Sequence, residues 1–310
     1  MSAPAARSDG AAFRIVGHRA PRPDATDKVF GLTRYADDFA MAGMLHAKVV
    51  RSPRPSARIV RIDTSGAEGV PGVRAVLTAR DVPHNVLFSD VPGQTTTVGP
   101  LRARTQVLAD EIVRFLGEAV ALVAAESEEA AEEGARRVAV EYEDLPGVFD
   151  PEAALRPDAP RLEPTGNVIS RWKIRKGDIE AGFREAAVVV ERSYRTPFID
   201  HAFIEPEAGV AWLDENGVIT IRVATQVIEH FRDVANVLGL PHSRVRIIAP
   251  YIGGGFGGKE DVTVEVFLGL LVWKTTRPVR LCYSREESIV SPTKRHPFVM
   301  RYKHGARRDG

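Results

Sequence analysis

A run of glycines late in the sequence constrains this 310-residue chain more than any other feature. Five of the six positions 253–258 are glycine, and Lys259 and Glu260 follow directly. Glycine loses more backbone entropy on folding than any other residue, so the run indicates a place that needs bare main chain. A strand-like segment, 244–249, precedes the run, and an apolar, helix-like segment, 261–274, follows it. This pattern predicts an exposed loop that can receive an anion at a helix N-terminus.

Two nucleotide-binding motifs match this loop in part. Residues 253–259 satisfy the first seven positions of a P-loop, but Glu260 stands where Ser or Thr would bind magnesium. Three glycines of the run also match G-x-G-x-x-G, the motif of dinucleotide-binding folds. In those folds an acidic residue follows the motif by about twenty positions. Here positions 283–285 are Tyr, Ser and Arg, so the sequence does not support NAD binding. NADP binding stays open, because Arg285 stands at this place.

Composition excludes several classes of protein. The 42 basic and 41 acidic side chains give a formal net charge of +1, whereas a general nucleic-acid binder carries a basic excess. Cys282 is the only cysteine, which excludes a disulfide framework, a thiolate zinc site and an iron–sulfur cluster held by these residues alone. No apolar run reaches the ~18 residues of a membrane-spanning helix, and residues 1–13 lack the apolar core of a secretory signal. We therefore expect a cytoplasmic protein that binds neither nucleic acid nor membrane.

Hydrophobic patterning predicts strands and helices without a regular alternation between them. In the first half, Ser127 is a capping residue for a helix that ends near Arg137. The predicted strands there are 45–50, 57–62, 73–77, 119–125 and 138–142, of which the continuously apolar 119–125 is typical of a central strand. In the second half, Asn216-Gly217 is a strong hairpin signal. The other predicted elements there are helices at 178–185, 226–238 and 261–274, and strands at 187–195, 244–249 and 279–283.

These elements predict an α+β fold in two parts. Proline removes a backbone donor and fixes φ, and five prolines fall between Leu145 and Pro164. The predicted organisation is a flexible tail at 1–16, a small α+β domain at 17–150, a proline-rich linker at 151–165 and a second α+β region at 166–310.

The glycine loop resembles the molybdenum-cofactor loop of the xanthine dehydrogenase and aldehyde oxidase family. Further motifs similar to those of the family's large subunit occur in the family's order, at 24–38, 52–59, 71–81, 117–121, 140–143, 201–207, 225–226, 284–288 and 294–297. The resemblance covers nearly the whole chain from about residue 17. It implies a hammerhead-like α+β domain followed by the first part of a molybdopterin-binding α+β domain.

The resemblance also implies roles for individual residues. Gln226 would donate a hydrogen bond beside the metal's apical ligand, and Glu260 would face the substrate together with Phe256. The main chain of Gly254, Gly255, Phe256 and Gly257 would contact the cofactor, because a bulky metal–pterin group must approach the backbone closely. Gln226 and Glu260 are the catalytic candidates, and no protein side chain is expected to bind molybdenum directly.

The activity implied by the resemblance is water-dependent hydroxylation of an aromatic N-heterocycle, such as a xanthine-like or hypoxanthine-like purine or a nicotinate-like ring. The implied cofactor is molybdenum–molybdopterin, in its simple or dinucleotide form. The implied partners are a second half of the molybdopterin subunit, an iron–sulfur subunit and an FAD subunit, since one cysteine cannot hold the clusters. The usual catalytic-base glutamate has no counterpart in this sequence, so we expect either a naturally split subunit or a truncated one. Two alternatives stay open: a non-catalytic fragment, and an aldehyde-oxidising member of the family.

Two histidines carry weaker expectations. His201 and Glu205 have i, i+4 spacing, which would suit a metal on a helix, but the adjacent Pro206 argues against a helix and favours a structural role. His230 falls on the polar side of its predicted helix, and we expect it to be solvated.

Overall fold

The computed structural model describes residues 13, 15–87, 105–162, 166–168, 171 and 173–310. The α-helices within these ranges are α1 (Ala25–Val29), α2 (Ser65–Glu68), α3 (Glu128–Arg137), α4 (Ile179–Glu185), α5 (Phe231–Leu238), α6 (Glu265–Thr275) and α7 (Arg285–Val290). The strands are β1 (Leu45–Arg51), β2 (Ala57–Asp63), β3 (Val73–Thr78), β4 (Ile112–Val113), β5 (Ala119–Ala125), β6 (Ala139–Asp144), β7 (Val188–Arg195), β8 (Ala208–Leu213), β9 (Ile219–Val223), β10 (Val245–Ile248), β11 (Val279–Cys282) and β12 (Val299–Ala306).

The α+β class predicted from the sequence is confirmed. Ser127 caps α3 by accepting a hydrogen bond from the Ala130 amide, and β8 and β9 form the hairpin around Gly217, whose φ is 68°. Two helices begin later than the pattern predicts: α5 starts at Phe231 after a short 3₁₀ turn, and α6 starts at Glu265. The elements that the pattern did not predict are α1, α2, α7, β4 and β12. No helix in the described ranges is long and apolar enough to cross a membrane.

A seven-stranded mixed sheet forms the centre of the molecule. Its strand order is β10-β9-β8-β11-β1-β5-β3, and β1 pairs with β11 in parallel. This pairing joins strands from both sides of the proline-rich segment in one sheet, so the division into domains at 151–165 stays a prediction. Two smaller sheets, β4-β2-β6 and β12-β7, lie outside it.

Helices cover both faces of this sheet. All seven residues of β5 are buried, as predicted for a central strand. Residues 121–124 alternate between two apolar clusters. Leu122 and Ala124 belong to the cluster that includes α6, whereas Ala121 and Val123 belong to the cluster under α2. Every residue of α6 from Glu265 to Val272 is buried, because the helix lies between the sheet and α5.

The strand directions bring the candidate site together. β9, β10 and β11 run parallel to one another, because β9 and β11 both pair antiparallel with β8. Gln226 follows the end of β9, the glycine loop follows the end of β10, and Glu205 precedes the start of β8. All three therefore lie at the same edge of the sheet.

The position of α6 leads to a stability prediction. Leu268 is fully buried against the sheet, with its Cδ1 atom over the main chain of Gly209. We expect Leu268→Ala to lower the free energy of unfolding by about 2–5 kcal/mol, because the cavity adds to the lost burial. The matched control is Leu155→Ala, since that leucine is 64% exposed and its loss should cost less than about 1 kcal/mol. Urea denaturation measures both, and equal effects would contradict this packing.

Candidate functional site

One side of the glycine loop packs tightly against other residues of the same chain. A Cβ atom at Gly253 would lie 2.5 Å from Glu205 Cβ, and one at Gly258 would lie 2.7 Å from His201 Nδ1. At Gly255 it would lie 2.3 Å from Gln226 Oε1. Real Cβ atoms do not approach other atoms so closely, so the bare backbone at these positions is required by packing within the protein.

The other side of the loop is open at Phe256 and Gly257. A Cβ atom at Gly257 would meet only His201 Nε2, at 3.9 Å, and the φ of 90° favours glycine there. Phe256 has a φ of 54° and its side chain is 75% exposed. A left-handed conformation costs a residue other than glycine about 1–3 kcal/mol, and such strain tends to occur at functional sites. An external group can therefore approach the main chain of Gly257 and the exposed side chain of Phe256.

Gln226 fixes the shape of the loop from the adjacent strand end. Its Oε1 atom accepts hydrogen bonds from the Gly257 amide at 3.0 Å and the Lys259 amide at 3.3 Å. Its own backbone N–H donates to the Lys259 carbonyl at 2.9 Å. The Nε2 group donates to no other described residue, so it is a free hydrogen-bond donor beside the open side of the loop.

Lys259 and Glu205 form an ion pair behind the loop. The fully buried Lys259 ammonium donates to Glu205 Oε2 at 3.0 Å and to the Glu205 carbonyl at 2.8 Å, and lies 4.6 Å from the centroid of the Phe203 ring. Glu205 Oε2 also accepts from the Gly253 amide at 2.7 Å. Burial lowers the pKa of Lys259, although the charge of Glu205 opposes this shift.

Glu260 presents a free carboxylate at the exit of the loop. Its side chain is exposed and makes no hydrogen bond or ion pair with another described residue. In contrast, both polar groups of its main chain are hydrogen-bonded. The amide donates to the Gly257 carbonyl at 3.4 Å, and the carbonyl accepts from His230 Nε2 at 2.8 Å. A fixed backbone therefore carries a carboxylate that is free to bind a ligand.

The expectation that His230 is solvated is wrong. The residue is 5% exposed, and its Nδ1 lies 2.8 Å from Oε1 of the buried Glu265. The helical pattern misplaced His230 because the residue belongs to the 3₁₀ turn before α5 and not to the helix itself. The sequence did contain one signal for a buried partner, since Glu265 is a lone carboxylate at the start of the apolar run that forms α6.

The nucleotide-binding alternatives do not fit the structure. P-loops and dinucleotide folds lead directly from the glycines into a helix, whereas residues 261–264 separate this loop from α6. The strands β10 and β11 are separated by β9 and β8, so they do not form the adjacent parallel pair of a dinucleotide fold. Arg285, the candidate for NADP, donates to the Ile204 carbonyl at 2.6 Å.

The spacing of His201 and Glu205 also does not make a metal site. Residues 201–205 are not helical, Ala202 has a φ of 51°, and Glu205 pairs with Lys259. No group of three or more His, Cys, Asp or Glu side chains within the described part of the chain is arranged to bind a metal ion.

Two family models match consecutive parts of the chain. Residues 30–146 match the a/b hammerhead domain of aldehyde oxidase and xanthine dehydrogenase, and residues 162–310 match the molybdopterin cofactor-binding domain.

Known proteins are similar over nearly the whole chain. The large molybdopterin subunit of nicotinate dehydrogenase from Eubacterium barkeri is 38% identical over 97% of this chain and 69% of its own length. A probable xanthine dehydrogenase subunit of Bacillus subtilis is 39% identical, over 93% of this chain and 38% of that protein. The solved aldehyde oxidoreductase from Desulfovibrio desulfuricans has a TM-score of 0.87 at 32% identity, over 96% of this chain and 34% of that one. The chain thus spans 69% of the first relative and less than two-fifths of the other two.

A buried carboxyl group near the loop predicts a pH effect on stability. Glu207 is fully buried, and burial raises its pKa, although the Lys259 charge favours its ionised form. When the pKa of an acid is higher in the folded state than in the unfolded state, the protonated acid contributes stability, fully so at pH values below its unfolded-state pKa. This contribution is lost as the pH rises through the folded-state pKa.

We therefore expect Glu207→Gln to become more stable than the wild type as the pH rises from about 4.5 to 8, by at most ~1.4 kcal/mol per pH unit. Urea denaturation across this range measures the difference. The exposed Glu215→Gln serves as control and should follow the wild type. A difference that is constant with pH, or that shrinks as the pH rises, would contradict the burial effect.

Proposed function

The chain belongs to the xanthine dehydrogenase and aldehyde oxidase family of molybdenum hydroxylases, and we propose that it forms one wall of a site that hydroxylates an aromatic N-heterocycle with water. One observation carries this proposal: the free amide of Gln226 and the free carboxylate of Glu260 both lie at the loop that is open at Gly257. The net reaction adds the oxygen of water to a ring carbon and releases two electrons and two protons.

The residues at the loop fit a molybdopterin group. The main chain of Gly257 and the side chain of Phe256 are accessible, and the Gln226 amide can donate to an oxygen ligand beside the metal. Gly254 and Gly255 shape the loop from behind, because Phe203 and Gln226 occupy the space that their side chains would need. No side chain is assigned as a direct ligand. When bound, the cofactor supplies the two-electron oxidation and activates the water.

Glu260 would orient the substrate. Its carboxylate can accept a hydrogen bond from a ring N–H of a purine-like heterocycle, or from the ring nitrogen of a nicotinate-like substrate when that nitrogen is protonated, and can stabilise positive charge there. Such a group acts most strongly on charge that develops during the reaction, because its position is fixed in advance. The hydrogen bonds at both ends of the Glu260 main chain support this role.

An aldehyde is the second candidate substrate, favoured by the solved aldehyde oxidoreductase. Aldehydes have no ring N–H, so Glu260 would have no equivalent partner in that reaction. The two substrates are distinguished by how strongly each depends on the Glu260 charge.

The electrons need an exit that these residues do not supply. Cys282 is the only cysteine in these residues, so they cannot supply the several thiolates that bind an iron–sulfur cluster. Burial raises the pKa of Cys282 to about 12, so its thiol is not a reactive thiolate. We therefore include an iron–sulfur subunit, an FAD subunit and the remaining part of the molybdopterin subunit in the proposal. The cytoplasmic location stays a prediction.

We predict that Glu260→Gln in the assembled enzyme lowers kcat/KM for an N-heterocycle by tens- to thousands-fold. This corresponds to a loss of about 2–4 kcal/mol of transition-state stabilisation, as for one electrostatic group. Steady-state kinetics measures the effect, after elemental analysis has established equal molybdenum content in both enzymes.

Glu215→Gln, at the hairpin tip, is the matched control and should keep the wild-type rate. Unchanged kcat/KM in Glu260→Gln would contradict the substrate role of Glu260. A correctly assembled wild-type enzyme without molybdenum would contradict the proposed function as a whole.

A further inference from the structure

A buried polar network lies directly behind the residues proposed to face the cofactor and substrate. His230 Nδ1 lies 2.8 Å from Glu265 Oε1, and His230 Nε2 lies 2.8 Å from the Glu260 carbonyl oxygen. Both side chains of the pair are buried, Glu265 completely. The network therefore connects the first residue of α6 to the main chain of the residue with the free carboxylate.

Thr225 extends the network to Gln226. Its hydroxyl lies 3.3 Å from His230 Nδ1 and 3.3 Å from the Lys259 carbonyl oxygen. The Gln226 backbone N–H donates to the same carbonyl at 2.9 Å. Residues 225–226 and 259–260 are thus held side by side, and His230 contacts both segments.

The hydrogen bonds indicate where the ring protons lie. A carbonyl oxygen only accepts, so Nε2 carries a hydrogen and donates it to the Glu260 carbonyl. Burial alone would lower the pKa of His230, but the hydrogen bond and charge of Glu265 outweigh burial and raise it. Asp233 is the other acidic neighbour, and burial raises its pKa. Each ring nitrogen thus lies 2.8 Å from an acceptor oxygen, and the raised pKa favours the form of the ring that can donate to both.

Stability alone gives a poor account of this pair. Desolvation offsets most of the attraction between two buried charges, and apolar side chains of similar volume often replace such a pair without loss. Apolar replacements would leave the carbonyl of Glu260 without its donor. What the network specifically provides is a fixed main chain at Glu260.

We propose that His230, oriented by Glu265, is a positioning residue that fixes the Glu260 main chain relative to Gln226 and so sets where the carboxylate stands across the open side of the loop. The effect on substrate rests on the function proposed above, whereas the effect on the main chain stands on the geometry alone.

Two variants separate positioning from folding. His230→Phe combined with Glu265→Leu removes the donor to Glu260 and leaves no unpaired buried charge, so the core can stay packed. Glu265→Gln is the conservative control. Its amide can donate to Nδ1 and accept from the Thr263 amide, which Glu265 Oε2 binds at 2.7 Å, while the Nε2 hydrogen stays in place.

Amide hydrogen exchange on the full chain provides a readout that needs no cofactor. We expect the double variant to speed exchange at residues 257–262 by roughly tenfold or more while the amides of α6 keep their protection. Glu265→Gln should stay within about threefold of the wild type at the same amides. Unchanged exchange in a folded double variant would overturn the proposal.

If the double variant does not fold, NMR of the ¹⁵N-histidine-labelled wild type decides the question. The proposal expects a hydrogen on Nε2 and, when the glutamate carbonyls are also labelled with ¹³C, a coupling across its hydrogen bond to the Glu260 carbonyl. A ring with Nε2 deprotonated at neutral pH would overturn the proposal.

Kinetics of the assembled enzyme tests the effect on substrate. At equal molybdenum content, we expect the double variant to lower kcat/KM for nicotinate or xanthine by about 10–100-fold, as for a misplacement of about 1 Å, with a much smaller loss in Glu265→Gln. Faster loop exchange with unchanged kcat/KM would overturn the substrate part. A wild type without molybdenum would instead contradict the proposed function, and the exchange result would still decide the positioning of the main chain.

Discussion

The buried salt bridge between Lys259 and Glu205 is the interaction on which the glycine loop depends. A lone ammonium at that depth would be strongly unfavourable, so Lys259 can be buried only while residues 203–207 lie against the loop. The same segment occupies the space that side chains at Gly253 and Gly258 would need, together with His201. The glycines and the ion pair therefore act together: both require residues 201–207 to lie against the loop.

This constraint gives the loop a closed side and an open side. Because the closed side packs against the protein itself, contacts within the chain hold Phe256 and Gly257 at the open side of the loop. The parallel directions of β9, β10 and β11 then place Gln226 and the loop at one edge of the sheet. Preorganisation of this kind is what binding and electrostatic catalysis require, since no energy is then spent on reorganising the site.

Local features of the fold were predictable from the sequence, but the contacts behind the site were not. The apolar run of β5, the Asn216-Gly217 hairpin and the glycine loop are each encoded within a few residues. The pairing of β1 with β11 and the burial of Lys259 depend on segments far apart in the chain, and no local pattern specifies them. The lone carboxylate of Glu265 signalled that a partner was needed, but the three-dimensional fold alone identifies it as His230.

A double-mutant cycle on Lys259→Met and Glu205→Gln tests the central claim most directly, with the free energy of unfolding as the measured quantity. If the pair holds the loop, Lys259→Met alone leaves the largely buried Glu205 carboxylate without its counter-ion and should cost about 3–5 kcal/mol. The double variant should recover part of that loss, giving a coupling energy of about 1–3 kcal/mol. Effects that add to within about 0.5 kcal/mol would show that the two residues act independently and would contradict the account.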